Sequence, residues 1–317
     1  MTIWRCFRRF VKIKDVTPRI SQQLFKDFFN LSFVPATAMN FDRQVTLNGS
    51  GIYEDLKEKL RSADTAYCDE TFWRQDGINH YVWYGGNKDI DVFHIDRHRS
   101  MDVAQHLLGD NFGGVIIADG YAAYNGVNPV ARQSCLAHLI RKADDIKKQI
   151  MMYENKQQDQ KAIAFCDNIA KLFKDACKIG RKIKNNDSER NNADKYKQKL
   201  LRRLKKICKS SLSEENAENL RKRLMAKNRE FDRLFVFLDY PDIEPTNNHA
   251  ERALRKLVIF RKICFGTRSE QGSYSHSVLT SLTSTAIRQG KHPIKFFRTL
   301  FLDTPDSAQA NLYFNSS

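Results

Sequence analysis

No run of this 317-residue chain reaches the roughly 18 apolar residues that a membrane-spanning helix requires, and 28% of its side chains are charged, so a membrane protein is not expected. Met1 to Phe10 is basic and aromatic, yet no apolar stretch or small-residue cleavage site follows, and no secretory leader is expected. Cysteine pairs of the CxxC type are missing. The seven cysteines (Cys6, Cys68, Cys135, Cys166, Cys177, Cys208 and Cys264) are odd in number and scattered, which points to reduced thiols in a cytosol rather than a disulfide framework. Also absent are the phosphate-binding GxxxxGK[ST] loop and the GxSxG nucleophile elbow. No internal repeat is evident.

What is present is a basic chain with enough apolar residues, 41%, to bury a core, and long enough for one large domain or two modest ones. Its net charge is +16. Residues 1–140 are neutral, with 16 basic against 16 acidic side chains. The excess lies in 141–235, with 27 basic against 14 acidic, and in 251–298, with 10 against 2. Charge concentrated in blocks is the footprint of a polyphosphate partner such as DNA; a solvated helical face is the bland alternative.

The periodicity divides the chain further. Residues 1–60 read as a helical segment: Leu24 to Phe33 is apolar until Pro35, and Ile52, Leu56 and Leu60 form a short helical stripe capped at Ser50 or Gly51. Thr65–Trp73, His80–Tyr84 and Asp91–Ile95 read as three antiparallel strands separated by turn signals at Gln75-Asp76-Gly77 and Gly85-Gly86-Asn87-Lys88-Asp89. Ser100 caps a helix that turns Val103, Ala104, Leu107 and Leu108 inward and stops at Gly109. Gly114–Ala118 is an apolar, buried fourth strand, and Arg132–Ala137 a fifth. Residues 139–235, with one glycine and no proline, read as two or three helices broken at Gly180–Asn192. Further helices run over His249–Arg261 and Tyr274–Gln289, and a frayed tail is expected beyond Asp303. A meander that crosses over through a helix implies an α/β mixed sheet flanked by helices, with the first and fourth strands adjacent. By analogy this is the order of the ribonuclease H-like fold. The expected divisions are 1–60, a first core part over 61–140, a basic helical insertion over 141–235 between the fifth strand and the helix bearing Glu251, a second core part over 236–300, and a tail over 301–317.

Three carboxylates stand out. Asp69 lies inside an aromatic strand, where a carboxylate is costly to bury unless something positive compensates, or unless it and Glu70 simply face opposite sides. Asp119 ends the apolar fourth strand, where loops splay apart and ligands bind, although an Asp-Gly turn explains it equally. Glu251 has capping-box spacing from Asn248, yet it is a lone acid among Arg252, Arg255, Lys256, Arg261 and Lys262. Three such oxygen ligands suit magnesium, and two ions about 4 Å apart assist an in-line displacement at phosphorus. Cys135-x-x-His138 lacks a second ligand pair and is expected to be structural, and no ligand geometry is expected for His94, His98 and His106.

In these stretches the chain resembles the IS66 family of insertion-sequence transposases. The matching blocks are Asp69-Glu70-Thr71 with Trp73, then Ala118-Asp119-Gly120-Tyr121-Ala122-Ala123-Tyr124, Cys135-Leu136-Ala137-His138, and Thr246-Asn247-Asn248-His249-Ala250-Glu251-Arg252-Ala253-Leu254-Arg255. Arg261-Lys262, Phe265-Gly266 and Gly272 complete them, over about residues 40–300. The resemblance implies a ribonuclease H-like fold and an Asp-Asp-Glu triad of Asp69, Asp119 and Glu251 holding Mg²⁺ or Mn²⁺, two ions in all. It also implies cleavage and strand transfer of element ends by a homo-oligomer in a synaptic complex, in a bacterial cytosol. Arg252, Arg255, Lys256, Arg261 and Lys262 are the expected DNA contacts. Two departures are visible: nothing like the family's zinc-binding, helical DNA-recognition extension precedes residue 40, and Leu136 stands where the family has Trp. The first departure suggests a truncated copy or reliance on an accessory protein of the same element. Two other readings stay open, a catalytically decayed remnant that only binds DNA and a ribonuclease H-like nuclease that cuts without joining.

Overall fold

A computed structural model describes residues 18–152, 159–302 and 305–313. Helices α1 (Pro18–Phe29) and α2 (Pro35–Arg61) precede strands β1 (Thr65–Gln75), β2 (Ile78–Gly86) and β3 (Asp91–Asp96). Helix α3 (Met101–Leu108) leads to β4 (Val115–Ala118), a short 3-10 turn at Ala122–Asn125, and β5 (Ala131–Ser134). The five strands form one mixed sheet in the order β3-β2-β1-β4-β5, with β1 antiparallel to β2 and parallel to β4. The first and fourth strands are therefore neighbours, as the strand order requires.

The helices that follow are α4 (Leu136–Met151), α5 (Gln160–Asn185), α6 (Asp187–Arg190), α7 (Ala193–Ile207), α8 (Glu215–Leu224) and α9 (Glu230–Arg233). After them come α10 (Asn248–Cys264), α11 (Glu270–Arg288), α12 (Pro293–Leu302) and α13 (Pro305–Tyr313). Alternation along the strands sends side chains to two cores. Tyr67, Trp73, Val82, Tyr84, Val115 and Ile117 pack with α4, α5, α7, α8 and α10. Ala66, Cys68, Trp83, Val92, Ile116 and Ala118 pack with α2, α3, α11, α12 and α13. The sheet is thus sandwiched between two helical layers, the arrangement that buries both faces of a mixed sheet. Among the described residues no helix is long and apolar enough to cross a membrane.

Several boundaries differ from the sequence expectation. Pro35 starts a helix instead of only ending one, because its fixed φ suits the first turn. That helix runs through Gly49-Ser50-Gly51 without a cap; a Cβ on Gly49 would come within 2.6 Å of Leu282, so the glycine lets α11 approach closely. The fifth strand ends at Ser134, and Cys135 is the N-cap of α4. The break expected within Gly180–Asn192 falls at Asn186, whose side chain accepts from Ser188 N–H, while Gly180 itself lies inside α5. The tail is not frayed where it is described: α13 buries Ala308 and Leu312, and Gln309 Nε2 donates to Asp55 of α2.

The edge strand β3 is covered in an unusual way. Helix α11 presents Ser277, Ser281 and Thr285, four residues apart, whose hydroxyl oxygens accept from the backbone N–H groups of Ile95, Phe93 and Asp91, two apart. Four residues of helix rise about 6 Å and two of strand about 6.6 Å, so the two ladders keep step.

Candidate active site

Parallel pairing of β1 with β4 ends with Tyr67 opposite Ile117. Carried two residues further, the same register sets Asp69 against Asp119, on the face that Tyr67 and Ile117 share. Asp69 is still inside β1, which continues beside β2 with Asp69 opposite Tyr84. Asp119 is the first residue past β4, in a tight turn where its Oδ1 accepts from Tyr121 N–H at 2.9 Å. Both aspartates line one cleft of about 430 Å³, with Glu70, Thr71, Arg99, His138, Arg141, Glu251 and Arg255.

Glu251 enters this cleft from α10. One face of that helix, Ala250, Ala253, Leu254 and Leu257, is buried, while Glu251, Arg255 and Val258, spaced four and three apart, turn to the cleft. The capping-box alternative is not realised. Asn247 is the N-cap and makes no side-chain cap bond, and the Glu251 carboxylate instead accepts from Arg141 at 2.5 Å, with His138 Nε2 at 3.7 Å. Asn247 has another task. Fully buried, its Nδ2 donates to Cys68 O at 2.7 Å and its backbone N–H to Cys135 Sγ at 3.1 Å. It therefore fixes the start of α10 against β1, one residue before Asp69, and against the end of β5.

The electrostatics of the cleft call for positive charge. The Asp69 carboxyl is pushed up to about 7, first by burial and then by Glu70, Asp119 and Glu251, with only the Glu70 N–H bond opposing. Glu70 points to the other face of β1, where Arg99 and Tyr124 hold it at 2.6 and 2.8 Å. Its carboxyl is nonetheless raised, because burial outweighs those partners. Burial and then Arg141 lower the His138 imidazole, favouring the neutral form that can ligate a metal. Among the described residues one trio of metal-ligating side chains, Cys135, His138 and Glu251, brings its ligand atoms within 4.8 Å of one another. Asp69 and Asp119 stand outside that trio but line the same cleft as His138 and Glu251.

Of the expected DNA contacts, Arg255 lines the cleft, and Arg252, Lys256 and Lys262 are exposed on α10. Arg261 turns inward, donating to Phe72 O and lying over the Phe72 ring. His94, His98 and His106 gather around a separate hollow with Asp96, which binds the first two and is held down at about 2. Sequence reasoning missed Arg99, His138 and Arg141 as cleft residues. The last two lie three apart, on one face of α4, a relation hidden when the strand is drawn through residue 137. The outlying motif residues are structural. Trp73 is buried and its indole donates to Thr267, and Gly266, at φ 108, leaves room for Arg74 O, which a Cβ would meet at 2.0 Å.

Comparison with known proteins gives the chain a family. Residues 19–275 match the family model described as "Transposase IS66 family". The chain is also 26% identical over 272 residues to "Uncharacterized protein y4jD" of Sinorhizobium fredii, a match covering 76% of this chain and 50% of the relative. The chain thus spans about half the length of that relative. With the family match running through both aspartates, Asn247 and Glu251, the chain belongs to the IS66 family of transposases.

Proposed function

We propose that this chain is the catalytic part of a DNA transposase of ribonuclease H-like fold, in which Asp69, Asp119 and Glu251 hold two divalent ions, Mg²⁺ or Mn²⁺. The observation that carries the reading is that Asp69 and Asp119, each two residues past the last parallel pair of β1 and β4, line one cleft with Glu251. The donor set fits the ions: hard carboxylate oxygens whose mutual repulsion and burial are relieved by a cation. When bound, such ions activate an attacking oxygen and stabilise the leaving one at a phosphodiester. The protein's own part is to position. Asn247 locks α10 to β1, Arg141 and His138 orient Glu251, and Arg255 with the exposed Arg252, Lys256 and Lys262 meets backbone phosphates. The same cleft serves a water molecule in cleavage and a DNA 3′-hydroxyl in joining. The 141–235 helices are the basic insertion that binds DNA or completes a synaptic assembly of several copies in the cytosol.

Asp119→Asn and Glu251→Gln are expected to lower Mg²⁺-dependent strand transfer by about 10²–10³-fold or more, the scale of lost preorganised charge, while DNA binding persists. Joining at the wild-type rate in Glu251→Gln would overturn the assignment. The Arg141–Glu251 pair favours a second reading, a decayed DNA-binding remnant in which that acid is already neutralised. Titration calorimetry separates the two: a remnant takes up no Mg²⁺ in a carboxylate-dependent way.

A further inference from the structure

Where the acidic cleft ends at Asp119, a second hollow begins at Gly120. It has a volume of about 690 Å³ and is lined by Gly120, Asn125, Arg223, Arg229, Glu230 and Arg233, among others. Three guanidiniums thus face one carboxylate. Glu230 is already taken, its Oε2 accepting from Arg223 at 2.8 Å. Arg223 lies so close to the chain that a Cβ on Gly120 would sit 1.8 Å from its Nη2.

The neighbouring Arg132 and Arg233 feel the charges of Glu230, Asp119 and Asp232 only from beyond salt-bridge distance. Arg132 lies beneath this wall, 5% exposed, and donates only to uncharged oxygens: Asn125 Oδ1 at 2.9 Å, Asp119 O at 2.5 Å and Tyr121 O at 3.1 Å. Arg233 donates to the same Asn125 Oδ1 at 3.0 Å. Neither forms an ion pair among the described residues. Two guanidiniums converging on one amide oxygen, partly out of water and with no carboxylate in salt-bridge contact, are costly unless an anion completes the set. The fork geometry of arginine suits a phosphate.

We infer that the hollow bounded by Gly120, Arg223, Arg229 and Arg233 is a phosphate-binding site, and that its occupant is a backbone phosphate of the DNA strand that crosses the neighbouring acidic cleft. The identity of the strand rests on the transposase reading; the phosphate chemistry does not. The same groups would accept free inorganic phosphate, so the test separates the two sources.

Arg233→Gln and the exposed Arg229→Gln are compared with Lys88→Gln, an equal charge loss on the β2–β3 turn. The probe is a short random-sequence DNA duplex followed by fluorescence anisotropy across a salt series, with EDTA present so that no metal site contributes. Each arginine variant is expected to flatten the slope of log K against log salt by about 0.9, one phosphate contact, and Lys88→Gln to leave it unchanged. Inorganic phosphate is expected to raise the melting temperature of the wild type but not of Arg233→Gln, since a ligand of the native state stabilises it. Protection by phosphate with unchanged DNA slopes would keep the site and assign it to a free anion. Unchanged slopes without protection would overturn it. Because no strand is cut, failure here leaves the Asp119→Asn test untouched, and the reverse also holds.

Discussion

A carboxyl raised to about 7 binds its proton more tightly in the folded protein than in the unfolded chain, where aspartate titrates near 3.8. Below that lower value both states are protonated, and Asp69 contributes its full stability. As pH rises towards 7 the unfolded chain sheds the proton first, so the contribution is lost across that window. The melting temperature of metal-free protein is therefore expected to fall from pH 4 to pH 7 relative to Asp69→Asn, which cannot titrate there. Parallel melting profiles for the two proteins would show that burial and the acids around Asp69 do not act as described. Mg²⁺ should restore most of the difference near neutral pH, read in the same melting experiment, because a cation offsets the repulsion that raises the proton affinity.

Residue-level features were unequally legible in the sequence. Asp119 could be placed because an apolar run ending in Asp-Gly marks the end of a buried strand, and Asp69 because the strand order makes its neighbour β4. Glu251 was harder, since its spacing from Asn248 imitates a cap; only the structure shows the carboxylate turned to Arg141 instead. Arg132 and Asn247 gave no warning. Asn247 matters through partners 112 and 179 residues away, and Arg132 through its desolvation, neither of which local spacing records. Arg261 reads as one more basic residue of α10, and only the fold shows it donating to the Phe72 carbonyl.

At the scale of the element, α11 and β3 act as one unit. Replacing Ser281 with Ala removes the acceptor for the buried Phe93 N–H without adding bulk, which should cost about 1–3 kcal/mol. Urea unfolding measures this, and a loss below a few tenths would mean that water reaches that amide. Strand β3 also begins in a buried polar knot: Asp91 is held by Tyr84, Ser284 and Arg288. The strands and α3 could be read because their periods of two and 3.6 were clean. The misread boundaries have a common cause, tertiary packing that overrides local signals. Ser50-Gly51 looked like a helix cap but lies inside α2, where Gly49 serves close packing against Leu282, and Cys135 looked like strand but caps α4. The stretch after residue 290 carries apolar residues whose partners, such as α2, lie far away in sequence.

For the whole molecule, the uneven distribution of +16 charges matters more than its sum. If α10 and the insertion meet DNA through about six phosphates, affinity should fall about 10³-fold between 50 and 200 mM salt. Anisotropy with a random-sequence duplex gives that slope directly, and a flat dependence would leave the basic blocks as mere solubilising surface.

The hydroxyl ladder of α11 reaches beyond stability. By occupying the outward N–H groups of β3 it denies that margin to any incoming strand, while α9 and residues 236–238 pack beside β5 at the opposite margin. A five-stranded sheet bounded in this way cannot be extended from one molecule into the next at β3. On the proposed reading, in which several copies gather on DNA, none joins its neighbour through β3, and each can leave without that strand being peeled away.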